Sequence, residues 1–250
     1  MDLGLSGKRA LITGASRGIG KSIAEHLLAE GVDIAICART AKGLEAAVAE
    51  LSTIGPRVIG RTVDVSDTVA LRDWVDWAAD ELGGIDAFVS NVSAGGGVDK
   101  WQETFQTDLM GNVRGAEAVI PHLAAAGGGS IVIINTTSAV EVFRGPTAYA
   151  AFKAGLLNYA KNLSREVGPD GIRVNSVLPG PVFFEGGIWE TLKVAQPEYV
   201  AAVEADIPLG RMAEPADIAR AVTFLSSAAA RYISGTALVV DGSFTKRIQY

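Results

Sequence analysis

Thr13-Gly14-Ala15-Ser16-Arg17-Gly18-Ile19-Gly20 follows an apolar run, Arg9–Thr13, and leads into a segment where Ile19, Ile23 and Leu27 recur every fourth residue. A short apolar run, a glycine turn and a helix-period stretch read as strand, tight turn and helix. Glycines let the backbone turn sharply and come close to a bound group. The helix start adds unpaired N–H groups and the positive end of a dipole. That combination suits a pyrophosphate, so Gly14, Ser16, Arg17, Gly18, Ile19 and Gly20 are candidate contacts of a dinucleotide.

Outward from this turn the same alternation continues. Strands are predicted at Arg9–Thr13, Asp33–Ala38, Val58–Val65, Ala87–Asn91, Ser130–Asn135, Arg173–Leu178 and Ala237–Asp241. Several are apolar without clean alternation, the pattern of strands covered on both faces. Helix-period segments separate them; Leu71, Val75 and Ala79 form one such apolar stripe. Asp67 and Asp217 suit helix starts, and Gly31 and Gly83 suit helix ends. The pattern predicts an α/β fold: one Rossmann-type, doubly wound domain over residues 1–250, with a seven-stranded parallel sheet and helices on both faces. Residues 181–209 break the rhythm with Phe183, Phe184, Gly186, Gly187, Trp189 and three prolines. This insertion reads as a substrate lid whose contacts would be Phe183, Phe184 and Trp189.

Composition narrows the function. The net charge is −6 and no basic run occurs, which argues against nucleic acid and anionic membrane surfaces as partners. The N-terminus lacks a secretory pattern and no apolar run is long enough to span a bilayer, so a cytoplasmic location is expected. One cysteine, Cys37, lies inside an apolar strand and reads as core. With two histidines and no ligand spacing, no metal site is predicted.

The second strand ends at Ala38-Arg39-Thr40. NAD-selective sites place an acid there to accept bonds from the adenosine ribose. Here the acid is replaced by alanine and a cation follows. Arg39, with Arg17, would attract a 2′-phosphate, because guanidinium binds two phosphate oxygens at once. NADP(H) is therefore predicted over NAD(H). After the fifth strand, Tyr149 and Lys153 stand four apart, on one face of a predicted helix. A nearby ammonium should lower the phenol's ordinary pKa of ~10 and make it a proton carrier.

With these stretches in hand, the chain from Leu5 to about Thr245 resembles the short-chain dehydrogenase/reductase family, and within it the 3-oxoacyl-(acyl-carrier-protein) reductase-like group. The matching stretches are Thr13–Gly20, Asp64-Val65, Tyr149 with Lys153, Asn175–Gly180, Pro208–Arg211 and Val240–Ser243. The resemblance implies hydride transfer between a nicotinamide and a ketone or secondary alcohol, with Tyr149 moving the proton. It further implies that Asp64 bonds the adenine beside Val65 and that Lys153 holds the nicotinamide ribose. Pro179, Gly180 and Val182 would lie along the nicotinamide, and the assembly would be a homotetramer, with a dimer as second choice. Three positions depart from the family pattern. Asn91 keeps its place in Ser90-Asn91-Val92-Ser93, but neighbouring small residues have gained side chains. Asp108 stands where the family has Asn. Thr136 aligns with the catalytic Ser, with Ser138 as second choice. Two other readings stay open: a dehydrogenase of a cyclic or polyhydroxy substrate, and a non-catalytic NADP(H)-binding sensor or scaffold.

Overall fold

Successive residues of Arg9–Thr13 (β1) face opposite ways, so Ala10 and Ile12 enter one hydrophobic core and Leu11 the other. Asp33–Ala38 (β2) repeats the split, with Ile34 and Ile36 on one side and Ala35 and Cys37 on the other. Both faces are apolar because both are covered. The computed structural model, describing residues 2–95, 100–143 and 145–248, shows why. Gly18–Ala29 (α1) and Ala41–Leu51 (α2) cover the first face. After Val58–Thr62 (β3), Thr68–Leu82 (α3) crosses to the second face, and Ala87–Ser90 (β4) follows.

Trp101–Thr104 (α4) runs through a π-helical turn, Phe105–Met110, into Gly111–Ala125 (α5). Gly129–Ile134 (β5), Ala148–Glu166 (α6) and Ile172–Pro179 (β6) come next, with α5 and α6 on the second face. Then come Ile188–Ala195 (α7), Pro197–Ala205 (α8), Pro215–Ser226 (α9, first face) and Ala237–Val240 (β7). All neighbouring strands are parallel in the order β3-β2-β1-β4-β5-β6-β7. The order reverses between β1 and β4, the switch point at whose carboxyl edge ligands of such sheets bind.

Helix ends follow the expected chemistry. Asp67 caps α3 by accepting from the amides of Val69 and Ala70, and Gly83 ends it in left-handed conformation. Asp217 completes a reciprocal cap with Glu214 at the start of α9. The predicted strand Val58–Val65 is shorter, ending at Thr62. The insertion at 181–209 is more helical than its sequence suggests. Pro197 pushes Gln196 out of helical geometry, so one irregular stretch becomes two short helices. Val200, Val203, Ile207 and Met212 form their own small core there, with Phe183, Trp189 and Leu192 packed on it. Among the described residues no helix is long and apolar enough to cross a membrane.

Candidate active site

Every strand in the middle of the sheet delivers a polar residue at its carboxyl end. At β1, Gly14 and Gly18 take positive φ of 67° and 56°, which turns the chain back into α1. A Cβ at Gly20 would lie 2.4 Å from the Gly14 carbonyl oxygen, so the turn closes only around glycine. Asn91, at the end of β4, holds this turn: its side-chain amide donates to the carbonyls of Thr13 (3.3 Å) and Gly14 (3.1 Å). The Thr13 hydroxyl accepts from the Asn91 amide at 2.9 Å. Arg17 occupies the cap position of α1 without making a side-chain cap, which leaves the first amides of the helix to a ligand.

The adenosine end of the predicted site is open. Arg39 is exposed at the end of β2 and its charge reaches Asp64. Bonds from the Ser66 amide and hydroxyl hold the Asp64 carboxyl below the usual carboxylate range, and Arg39 adds to this. Val65 is buried beside Gly111 of α5. The Arg17 guanidinium donates to the Gly186 carbonyl at 2.9 Å. The Phe184 ring lies against Gly18, 2.6 Å from where a Cβ would be. The start of the lid therefore rests on the glycine turn. Val182 is buried and pairs with Ala213.

The proton-transfer group gathers at the end of β5. Asn135 is buried and locks three parts together: its side chain donates to the Lys153 carbonyl (3.0 Å) and accepts from the Thr136 amide (2.8 Å). Thr136 is thereby brought towards α6, close enough for its hydroxyl to act on the Tyr149 phenol. The same hydroxyl accepts from the Ser138 amide at 3.2 Å, so of the two candidates Thr136 is the one beside Tyr149. The Lys153 ammonium is 2% exposed, donates to the Ile134 carbonyl at 2.9 Å, and lies 5.9 Å from the Tyr149 ring centre.

Asp108 is wholly buried on the π-helical turn, the kind of local insertion often found at functional sites. One carboxylate oxygen accepts from the Ala94 amide at 2.8 Å. The other has no hydrogen-bond partner among the described residues and lies 3.9 Å from the Lys153 ammonium. The Asp108 backbone carbonyl accepts from the Asn112 side chain at 2.7 Å.

The expected lowering of the phenol pKa is overturned. Burial pushes the Tyr149 phenol up to about 12; the Thr136 hydroxyl pulls it down, and the Asp108 charge pushes it up again. Burial also lowers Lys153, against the pull of Asp108. Burial outweighs the effect that the spacing alone predicts, and the carboxylate beside the ammonium adds to it.

Several residues fall outside this group. Trp189 stacks on Tyr199 (centroids 6.2 Å) within the lid's own core, and Lys193 lies over Phe183 at 5.2 Å. Trp74 is core, Trp77 carries Arg61 on its ring, and His122 pairs with Asp76 at 2.8 Å. Burial pushes the Cys37 thiol to about 12, in keeping with a packing role. A cavity of about 560 Å³ lies at the amino edge of the sheet; Arg173 there spends its donors on the carbonyls of Leu225 and Ser227. Sequence reasoning missed Asn135, Asn112 and Thr13. A polar residue directly at the carboxyl end of an apolar strand was the available signal for Asn135 and Thr13.

A model of the family described as enoyl-(acyl carrier protein) reductase matches residues 14–245. The isoepoxydon dehydrogenase of Penicillium expansum is 36% identical, over 99% of this chain and 98% of its own. The structure of L-sorbose reductase from Gluconobacter frateurii, complexed with NADPH and L-sorbose, superposes with a TM-score of 0.90 at 33% identity, covering 99% of this chain and 100% of that one. Carveol dehydrogenase from Mycobacterium avium, in complex with NAD, gives 0.88 at 29% identity, covering 95% and 97%. With a match this long, the chain belongs to the short-chain dehydrogenase/reductase family, and within it is similar to the 3-oxoacyl-(acyl-carrier-protein) reductases.

Proposed function

We propose that this protein is an NADP(H)-dependent oxidoreductase that interconverts a small ketone and its secondary alcohol, with Tyr149 as proton carrier. The observation that carries the reading is the grouping of Thr136, Tyr149 and Lys153 at the end of β5, on the same edge as the glycine turn of β1. The residues fit a dinucleotide: the turn tolerates no Cβ at Gly20, and the amides of α1 are uncapped by any side chain. Gly14, Ser16, Gly18, Ile19 and Gly20 would hold the pyrophosphate, Asp64 and Val65 the adenine, and Asn91, Pro179, Gly180 and Val182 the nicotinamide half. Arg39 favours a 2′-phosphate, with alanine and no acid at the carboxyl end of β2 to repel it. When bound, the nicotinamide supplies or accepts the hydride.

The chain's own residues handle the proton. A phenol protonated up to about pH 12 is a donor at neutral pH, which suits carbonyl reduction. Thr136 donates to the same developing oxygen as Tyr149 and stabilises its charge. Lys153, anchored on the Ile134 carbonyl, positions the phenol and the ribose. Asp108 faces that ammonium across 3.9 Å in a buried place and favours its charged form. A cyclic or polyhydroxy substrate is the second reading, favoured by the likeness to isoepoxydon dehydrogenase and L-sorbose reductase. The protein is further proposed to be a cytoplasmic homotetramer.

Purified protein mixed with NADPH or NADH and a panel of ketones gives the test, read by nicotinamide absorbance. Tyr149→Phe should reduce turnover by about 10²–10⁴-fold and leave NADPH binding intact, since only a transferable proton is lost. Wild-type turnover by the Phe variant would refute the chemistry. A wild-type protein faster with NADH would refute the cofactor preference.

A further inference from the structure

The segment after β7 meets the loop after β5, the lid and Gly180 at the end of β6. Asp241 turns the chain with its side chain: its carboxylate accepts from the amides of Ser243 and Thr245, both at 2.9 Å, and from the Thr245 hydroxyl at 2.8 Å. The turn is tight enough to place Ser243 at φ 68°, a left-handed value uncommon for a residue with a side chain. Its start abuts the nicotinamide strip: a Cβ at Gly180 would lie 2.7 Å from the Asp241 Cβ.

Beyond the turn the segment joins two regions far apart in sequence. Phe244 stacks on Phe143, with ring centres 4.9 Å apart and planes 7° from parallel. Phe143 belongs to the loop that follows the Thr136 turn. The same Phe244 packs on the lid's small core beside Phe183 and Trp189. Polar contacts repeat the pattern. The Lys246 amide donates to Glu141 (3.3 Å), and Arg247 donates to the Val140 carbonyl (3.3 Å). On the other side, the Lys246 ammonium pairs with Asp206 after α8 at 3.1 Å, and the Leu209 amide donates to the Gly242 carbonyl at 3.3 Å. The exposed ion pair contributes little by itself; the stacked ring and its burial between two segments carry the join.

We propose that Phe244 is a specificity-determining wall of the substrate crevice, and that Ser243–Arg247 straps the loop after β5 to the lid. The flat pair Phe143/Phe244 favours a compact substrate with an apolar face and excludes bulk on that side. This rests on the oxidoreductase reading for its substrate consequence, but the strap itself is independent of any activity.

Two readouts separate the claims. Limited trypsin digestion, followed by mass spectrometry at Lys193 on exposed α7, reports lid anchoring without substrate. Phe244→Ala should speed that cut about tenfold, Phe244→Leu nearly as much, and Phe244→Trp should restore slow cleavage. Cleavage within twofold of wild type in both the Ala and Leu variants would overturn the strap. The ratio of kcat/KM for a bulky ketone to that for a small one should rise about tenfold in Phe244→Ala, through KM, with NADPH affinity unchanged; Phe244→Trp should reverse it. An unchanged ratio would overturn the wall. A wild-type protein inert towards every ketone and alcohol would sink the oxidoreductase reading, while the digestion still decides the strap.

Discussion

The glycine turn at β1 and the substrate crevice at β5 to β7 share one edge of the sheet but are built differently. The turn is eight consecutive residues whose work is done by backbone: positive φ at Gly14 and Gly18, a missing Cβ at Gly20, free amides at α1. Its distant supports are few: Asn91 holds it from β4, and Phe184 of the lid rests on Gly18. The crevice is assembled from side chains of the Thr136 turn, α6, the lid and the C-terminal segment, each useless without the others. Local backbone geometry can be read from a string of residues; a wall made by stacking Phe143 on Phe244, a hundred residues on, cannot.

If that contrast is right, the turn should be brittle and the crevice tunable. Gly20→Val is expected to abolish measurable NADPH binding in a fluorescence titration. The new side chain meets the Gly14 carbonyl and the Asn91 amide, backbone and anchor that cannot both retreat. A folded variant, checked by its melting curve, that binds NADPH within threefold of wild type would break the comparison.

The next largest effect belongs to the crevice. Thr136→Ala should cost about 10²-fold in turnover, the scale of losing one donor to a developing oxyanion. Ser138→Ala should cost far less, because the Thr136 hydroxyl is the one that acts on the Tyr149 phenol. The reverse ranking would show that the catalytic hydroxyl lies two residues on. Smaller again is Arg39→Asp, at the rim of the turn. Trading a phosphate partner for a ribose acceptor should shift the NADPH-to-NADH ratio of kcat/KM about tenfold towards NADH, in line with one charge-assisted bond. No change would mean that the exposed guanidinium does not reach the phosphate.

The strands were legible because parallel strands buried on both faces are plain apolar runs. β1 and β2 run Arg9–Thr13 and Asp33–Ala38, the ranges their apolar runs predict. β3 stops early because Val63 and Val65 stay buried after Thr62 without belonging to the strand, and burial is what the apolar run reports. Tyr149 and Lys153 were legible as a helical pair, yet their electrostatics were not. The sign of the phenol's shift depends on burial and on Asp108, forty-one residues earlier in the chain. The lid helices were hard to read because they are only eight and nine residues long and are broken apart at Pro197.

Asp108→Asn gives the finest test, because it changes one charge and almost no volume. Among the described residues, the charged or titratable groups that face this carboxylate are Lys153, at 3.9 Å, and Tyr149, which feels its charge. An amide can still accept from Ala94, so the loop after β4 should hold its place. Removing the anion stabilises the Tyr149 phenolate, and its pKa falls from about 12. In alcohol oxidation Tyr149 acts as the base, so the rising limb of the pH–rate profile should move to lower pH. The same change also removes the attraction that holds a proton on Lys153, whose pKa burial already lowers. While the ammonium keeps its proton, the phenolate effect sets the sign. An upward movement would mean that Lys153 had lost its charge in the variant, leaving the phenolate without its cation. Asp108 would then be the residue that keeps Lys153 charged, and its direct repulsion of the phenolate would be secondary. A profile that does not move would show the carboxylate to be a loop anchor through Ala94 alone.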